Sequence, residues 1–150
     1  HKALKLFAKA GYKLVLITNQ SGIARGLFKE NEFLNICSFM TSSLAENDIF
    51  FDEIYYCPHH PEAKIEEFRV KCNCRKPEIG MIRKAENDLG INLKESVIIG
   101  DKISDLQAGF DSGISTRYLI SKDLKNFSKN QLVTKTFPSL WECSKYHVSI

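Results

Sequence analysis

Short apolar runs, each closed by a polar turn and separated by helical patterns, constrain this chain more than any other feature of its sequence. Lys13 to Ile17 is one such run, and it ends in Thr18-Asn19-Gln20-Ser21-Gly22. Ile54-Tyr55-Tyr56 is a second, Ser96 to Ile99 a third ending in Gly100-Asp101-Lys102, and Thr116 to Ile120 a fourth. Runs of this length without alternation suit strands buried on both faces. Between them lie helical patterns: residues 2–10 stopping at Gly11, and a segment from Lys29 with Phe33, Ile36, Cys37, Met40 and Leu44 on one stripe. A third starts near Glu78, with Ile82, Ala85 and Leu89 before Gly90, and a fourth runs from Ile103 to Ser112 before Gly113. Glycine after the last helical position is a common stop. The tail predicts a strand near Leu132–Thr136 and a helix from Pro138.

Alternating strands and helices predict an α/β fold, a doubly wound parallel sheet with helices on both faces. In such sheets ligands bind beyond the carboxyl ends of the strands, so Thr18–Gly22 and Gly100–Asp105 should share one rim. With 150 residues the chain suits a single domain, 1–150, with no large cap. No stretch approaches the roughly 20 apolar residues of a membrane span. Lys2, Lys5 and Lys9 break the opening apolar run, which does not read as an export signal. A net charge of +3 from scattered residues argues against nucleic acid as partner. Five cysteines without an export signal point to a reducing, cytoplasmic setting where clustered thiols bind metal.

Such a cluster is visible. Cys57-Pro-His59 and Cys72-Asn-Cys74 offer three thiolates and one imidazole, a common structural zinc set. The polar loop between them (Glu62, Lys64, Glu66, Glu67, Arg69) has too few apolar residues to order itself, and a metal would supply that order. The competing reading is free surface cysteines and turn histidines, and paired spacing on both sides of one loop speaks against it. Cys37 sits on a helical stripe and reads as core; Cys143 has no evident partner.

Three further clusters can handle phosphate. Thr18 and Asn19 end a strand, where a hydroxyl and backbone N–H groups can bind a phosphoryl oxygen, although Thr-Asn is also ordinary turn chemistry. Arg75-Lys76-Pro77 directly follows the last thiol, so zinc would fix a guanidinium and an ammonium in place. Asp101, with Asp105 one turn on, offers the one or two carboxylates that magnesium takes; Asp101 alone would equally serve as a helix cap.

In this order, Thr18, Lys76 and Gly100-Asp101 with Asp105 resemble the second, third and fourth motifs of the haloacid dehalogenase superfamily. More narrowly, Thr18 to Gly26, Tyr56-Cys-Pro-His-His-Pro61 and Cys72-Asn-Cys-Arg-Lys-Pro77 are similar to the D-glycero-D-manno-heptose 1,7-bisphosphate phosphatases. The resemblance implies a monomeric, magnesium-dependent phosphatase that removes the 7-phosphate of this sugar for lipopolysaccharide precursor synthesis. It implies an aspartyl-phosphate intermediate, with Thr18, Asn19 and Lys76 around the transferring group. It places magnesium on Asp101 and structural zinc on Cys57, His59, Cys72 and Cys74. It assigns Gln20, Ser21, Arg25, Arg75 and Lys102 to substrate, with Arg75 on the phosphate that stays. Histidinol-phosphate phosphatases share the Cys/His staple, but the 12 residues between His59 and Cys72 favour the heptose group.

One part of the pattern is missing. The family's nucleophile lies in an Asp-x-Asp motif at the end of a central strand, and no Asp-x-Asp occurs in this sequence. His1 already falls in a helical pattern, so the chain is expected to be N-terminally incomplete, inactive by itself and split where that strand belongs. Two other classes therefore stay open: a non-catalytic zinc-binding α/β module and, less supported by the charge, a zinc protein that binds nucleic acid. An upstream Asp-x-Asp-Gly would decide for the enzyme.

Overall fold

The computed structural model describes residues 1–123, 127 and 130–149. Its elements follow in the order α1 (Lys2–Lys9), β1 (Val15–Asn19), α2 (Ser21–Ala24), α3 (Glu30–Ala45) and β2 (Glu53–Cys57). After a loop with one 3-10 turn at Glu66–Phe68 come α4 (Gly80–Leu89), β3 (Val97–Gly100), α5 (Ile103–Ser112), β4 (Thr116–Ile120), β5 (Lys135–Phe137) and α6 (Leu140–Val148). Gly90 and Gly113 end α4 and α5 in the left-handed conformation, at φ 62° and 91°, which a residue without Cβ adopts at least cost. No helix among the described residues is long and apolar enough to cross a membrane.

Among the described residues the strands are all parallel, but they form two sheets, β1-β2 and β3-β4-β5. The inner edges, β1 and β3, line the two sides of a cleft of about 870 Å³, from Leu14–Ile17 to Val97–Gly100. The ladder thus breaks where the sequence predicts a missing strand. The apolar core does not break with it. Ile17 packs against the cluster of Ile82, Leu93, Ile98, Leu106 and Leu119, while Val97 and Ile99 pack against Phe7, Leu14, Leu44 and Ile49. Side chains from both sheets therefore share their burial, and the α1–α6 contact closes the same face.

Three expectations need correction. β1 runs two residues beyond Ile17, because Thr18 and Asn19 keep pairing with Tyr56 and Cys57 although their side chains are polar. Ser21–Ala24 forms a helix of four residues, too short to show a period. On α3 only Phe33 and Leu44 of the predicted stripe are fully buried; Cys37 and Met40 are half-buried, and Ile36 is 63% exposed. The buried face is narrower than the stripe because Ile36 sits at its margin. Cys143, without a role in the sequence, lies on the inner face of α6 and is buried against Tyr118 and Phe137.

The tail is pinned by Arg117. Its guanidinium is buried, pairs with no carboxylate among the described residues, and donates to the carbonyls of Ile114, Ser115, Gln131 and Leu132 at 2.7–3.3 Å. Those bonds meet the rule that a buried charge must be hydrogen-bonded, and they hold the segment that leads into β5.

Candidate active site and zinc centre

β2 ends in Cys57, directly beside Asn19 in the β1–β2 register, and Gln20 N–H donates to the Cys57 carbonyl at 2.8 Å. The carboxyl ends of these two strands therefore carry the phosphate and the thiol clusters side by side. Cys57 Sγ lies 3.0 Å from Cys74 Sγ, 3.5 Å from Cys72 Sγ and 3.7 Å from His59 Nδ1. Cys74 Sγ lies 3.3 Å from both Cys72 Sγ and His59 Nδ1. All four donor atoms fall within 4.8 Å of one another. A tetrahedral zinc, with bonds of about 2.0–2.3 Å, separates its ligand atoms by about 3.5–3.8 Å, so this donor set fits zinc closely. Burial pushes the Cys57 thiol above the ordinary cysteine range, so its thiolate form calls for a cation beside it.

The second thiol pair leads straight into the basic pair. Arg75 Nη1 donates to the His59 carbonyl at 3.2 Å, and Gly80 N–H donates to the Asn73 carbonyl at 2.8 Å. A side chain at Gly80 would collide with that carbonyl, so α4 can start here only on glycine. The zinc loop and the first turn of α4 thereby hold Arg75 and Lys76 from both sides.

Lys76 spans the rim of the cleft. Its Nζ forms an ion pair with Asp105 Oδ1 at 2.7 Å and donates to the Ile17 carbonyl at 2.9 Å. Both charged side chains are nearly closed to solvent, at 10% and 9% exposure. Asp105 Oδ2 also accepts from Lys102 N–H at 3.1 Å, at the start of α5. Asp105, which the sequence offers as a second magnesium carboxylate, is thus occupied on both oxygens by the chain itself. Gly100 makes this possible, because a Cβ there would lie 2.5 Å from the Asp105 carboxylate.

Thr18 is half-buried at the end of β1, and its Oγ1 accepts from Gln20 Nε2 at 3.1 Å. Ser21 opens α2, and Arg25 is exposed at its end. Asp101 and Lys102 are exposed in the turn between β3 and α5, and Asp101 joins the residues that line the cleft. Asn19, which the sequence offers to the phosphoryl group by its strand-end position, has its side-chain amide bonded to the Lys76 main chain. The sequence carried no signal of that pairing, since the two residues are 57 positions apart.

Known proteins resemble this chain in sequence and in fold. A family model described as HAD-hyrolase-like matches residues 73–123. The D-glycero-beta-D-manno-heptose-1,7-bisphosphate 7-phosphatase of Photorhabdus laumondii is 49% identical over 112 residues, which are 75% of this chain and 60% of that protein. The enzyme of the same name from Escherichia coli K12 is 46% identical over 118 residues, 79% of this chain and 62% of that protein. The chain therefore spans about three-fifths of the length of these curated relatives. Among solved structures, the D,D-heptose 1.7-bisphosphate phosphatase of B. bronchiseptica, complexed with magnesium and phosphate, superimposes with a TM-score of 0.83 at 29% identity. That match covers 99% of this chain and 80% of the other. Over 99% of its length the chain is thus similar in structure to one such phosphatase, and over most of its sequence it is nearly half identical to others, so its fold is of the haloacid dehalogenase type.

Proposed function

We propose that this chain is the greater part of a magnesium-dependent phosphatase that removes the 7-phosphate of D-glycero-D-manno-heptose 1,7-bisphosphate. The observation that carries the reading is Lys76, held at the mouth of the cleft by β1 and α5, beside a metal-binding loop. An ammonium fixed there by the protein is ready to offset charge that develops on a transferring phosphoryl group. Identity of 46–49% to enzymes of that name supports the choice of sugar bisphosphate over other phosphate esters.

In this reading the nucleophile stands on a strand seated between β1 and β3, in the cleft lined by their free edges. Its carboxylate oxygen bonds to phosphorus as the sugar oxygen leaves, and water then releases phosphate from the acyl phosphate. The Thr18 hydroxyl and the N–H groups that follow it bind phosphoryl oxygens, and Lys76 neutralises them. Asp101 would hold magnesium, which supplies further charge neutralisation when bound. Cys57, His59, Cys72 and Cys74 would hold zinc with no position left for water, a structural role. Gln20, Ser21, Arg25, Arg75 and Lys102 surround this rim as candidate contacts to the rest of the substrate. The named residues of this rim lie on one chain, so a monomer suffices to build it, and the free clustered thiols fit a reducing, cytoplasmic setting.

Phosphate release by the full-length protein with magnesium tests this. The expected result is turnover of the heptose bisphosphate, lost on Lys76→Ala or Asp101→Asn. Turnover of histidinol phosphate instead would keep the chemistry and overturn the substrate. Inactivity of a folded, zinc-loaded protein on both esters would leave a zinc-binding module.

A further inference from the structure

We infer that the Asn19 side chain is a positioning residue for Lys76 and not itself a phosphate ligand. Asn19 Oδ1 accepts from the Lys76 N–H at 3.0 Å, and Asn19 Nδ2 donates to the Lys76 carbonyl at 3.0 Å. The backbone groups settle which end of the amide is which, since N–H only donates and C=O only accepts. One side-chain amide thus grips the peptide units on both sides of Lys76, much as a neighbouring strand would. The Ile17 carbonyl, two residues earlier on the same strand, takes the Nζ of the same lysine at 2.9 Å. β1 therefore fixes Lys76 at three points, main chain and ammonium together, while Asp105 meets the ammonium from α5.

Both ends of the Asn19 amide face the Lys76 main chain, which has little other support. Lys76 follows the second thiol pair by two residues, and its backbone belongs to no helix or strand. Without Asn19, its main chain would be tied, among the described residues, through its chain neighbours, the zinc loop before it and the first turn of α4 after it. Proline at 77 contributes no N–H to any alternative bond. Asn19 serves this purpose where serine or aspartate would not, because only an amide both donates and accepts at this spacing.

The inference rests on the phosphatase reading for its kinetic arm alone. In the full-length protein, Asn19→Ala, Asn19→Asp, Lys76→Ala and the double variant Asn19→Ala/Lys76→Ala are compared on the heptose bisphosphate and on p-nitrophenyl phosphate. Small misplacement of a catalytic group costs on the order of 100-fold, so Asn19→Ala should lower kcat by about that factor. In the Lys76→Ala background the same change should cost no more than about twofold, because the group it positions is gone. Equal cost in both backgrounds would mean that Asn19 acts on substrate directly and would overturn the inference. Labelling of the free amine by an amine-reactive acylating reagent, read by mass spectrometry, gives the arm that needs no activity. Loss of two hydrogen bonds should raise the Lys76 labelling rate on the order of tenfold, with Asn19→Asp between. Lys84, whose side chain is 63% exposed, should label equally in all variants and reports on intact folding. An unchanged Lys76 rate in Asn19→Ala would overturn the inference. If the wild type cleaves neither ester, the phosphatase reading fails and the labelling alone decides the clamp.

Discussion

Replacing Asp105 by alanine strands a charge that the fold has closed off. The Lys76 side chain is 10% exposed and meets two groups, the Asp105 carboxylate at 2.7 Å and the Ile17 carbonyl at 2.9 Å. Without the carboxylate, a neutral carbonyl is the one partner left among the described residues for a nearly desolvated ammonium. Breaking a buried pair from one side costs about 3–5 kcal/mol, and the surviving carbonyl places this case near about 3 kcal/mol. The Arg83–Glu86 pair on α4 provides the contrast, since its side chains are 45% and 35% exposed. Glu86→Ala should cost less than about 1 kcal/mol, because solvent already screens both charges. Urea unfolding of the full-length protein, followed by circular dichroism, separates the two. With a slope of about 1–3 kcal/mol per molar urea, Asp105→Ala should lower the midpoint by at least about 1 M. Glu86→Ala should leave it within a few tenths of a molar. The pair Lys76→Met/Asp105→Leu should recover most of the lost stability, since apolar side chains of similar volume need no partner there. It should release no phosphate. Equal midpoint shifts for Asp105→Ala and Glu86→Ala would refute the argument that burial decides the size of the effect.

Gly100→Ala should cut kcat/KM by about tenfold or more, measured by phosphate release, because its methyl would sit 2.5 Å from Asp105 and push the carboxylate off Lys76. Elemental analysis should find one zinc per chain, lost in Cys74→Ser but retained in Cys37→Ser, whose thiol lies on α3 away from the cluster. Burial lowers the pKa of His147, which bridges Tyr12 and Tyr118 at 2.8 and 3.1 Å. The folded state thus binds this proton less readily than the unfolded chain. Its share of stability is present above the ordinary histidine value of about 6.5 and is lost as pH falls below it. The drop in urea midpoint between pH 7.5 and 5.5 should shrink in His147→Gln; an unchanged drop would assign it to other groups.

Much of this molecule is written in local patterns. α5 and β4 have the boundaries that the sequence predicts, because a regular apolar pattern, Gly113 and a run of strand formers mark both ends. The four zinc-ligand candidates and the order Thr18, Lys76, Asp101 are likewise plain in the residue types. Pairing between distant segments is not. Thr18 and Asn19 look like turn residues, and only their ladder with Tyr56 and Cys57 makes them strand. Asp105 carries the same carboxylate as a metal ligand, and its use as the partner of Lys76 depends on the close approach of α5 to Gly100. Asn19 shows the limit most clearly, since an amide reveals nothing of a backbone 57 residues away.

In the proposed reaction, phosphate leaves from the 7-position at a rim built on Lys76. The most direct test is the phosphorus NMR spectrum of the heptose bisphosphate during turnover by the full-length protein with magnesium. The 7-phosphate is coupled to two methylene protons and the 1-phosphate to one anomeric proton, so the two give a triplet and a doublet. The triplet should disappear, inorganic phosphate grow in its place and the doublet remain, with no change over the same time in Lys76→Ala. Loss of the doublet first, or equal turnover by Lys76→Ala, would contradict the proposed reaction.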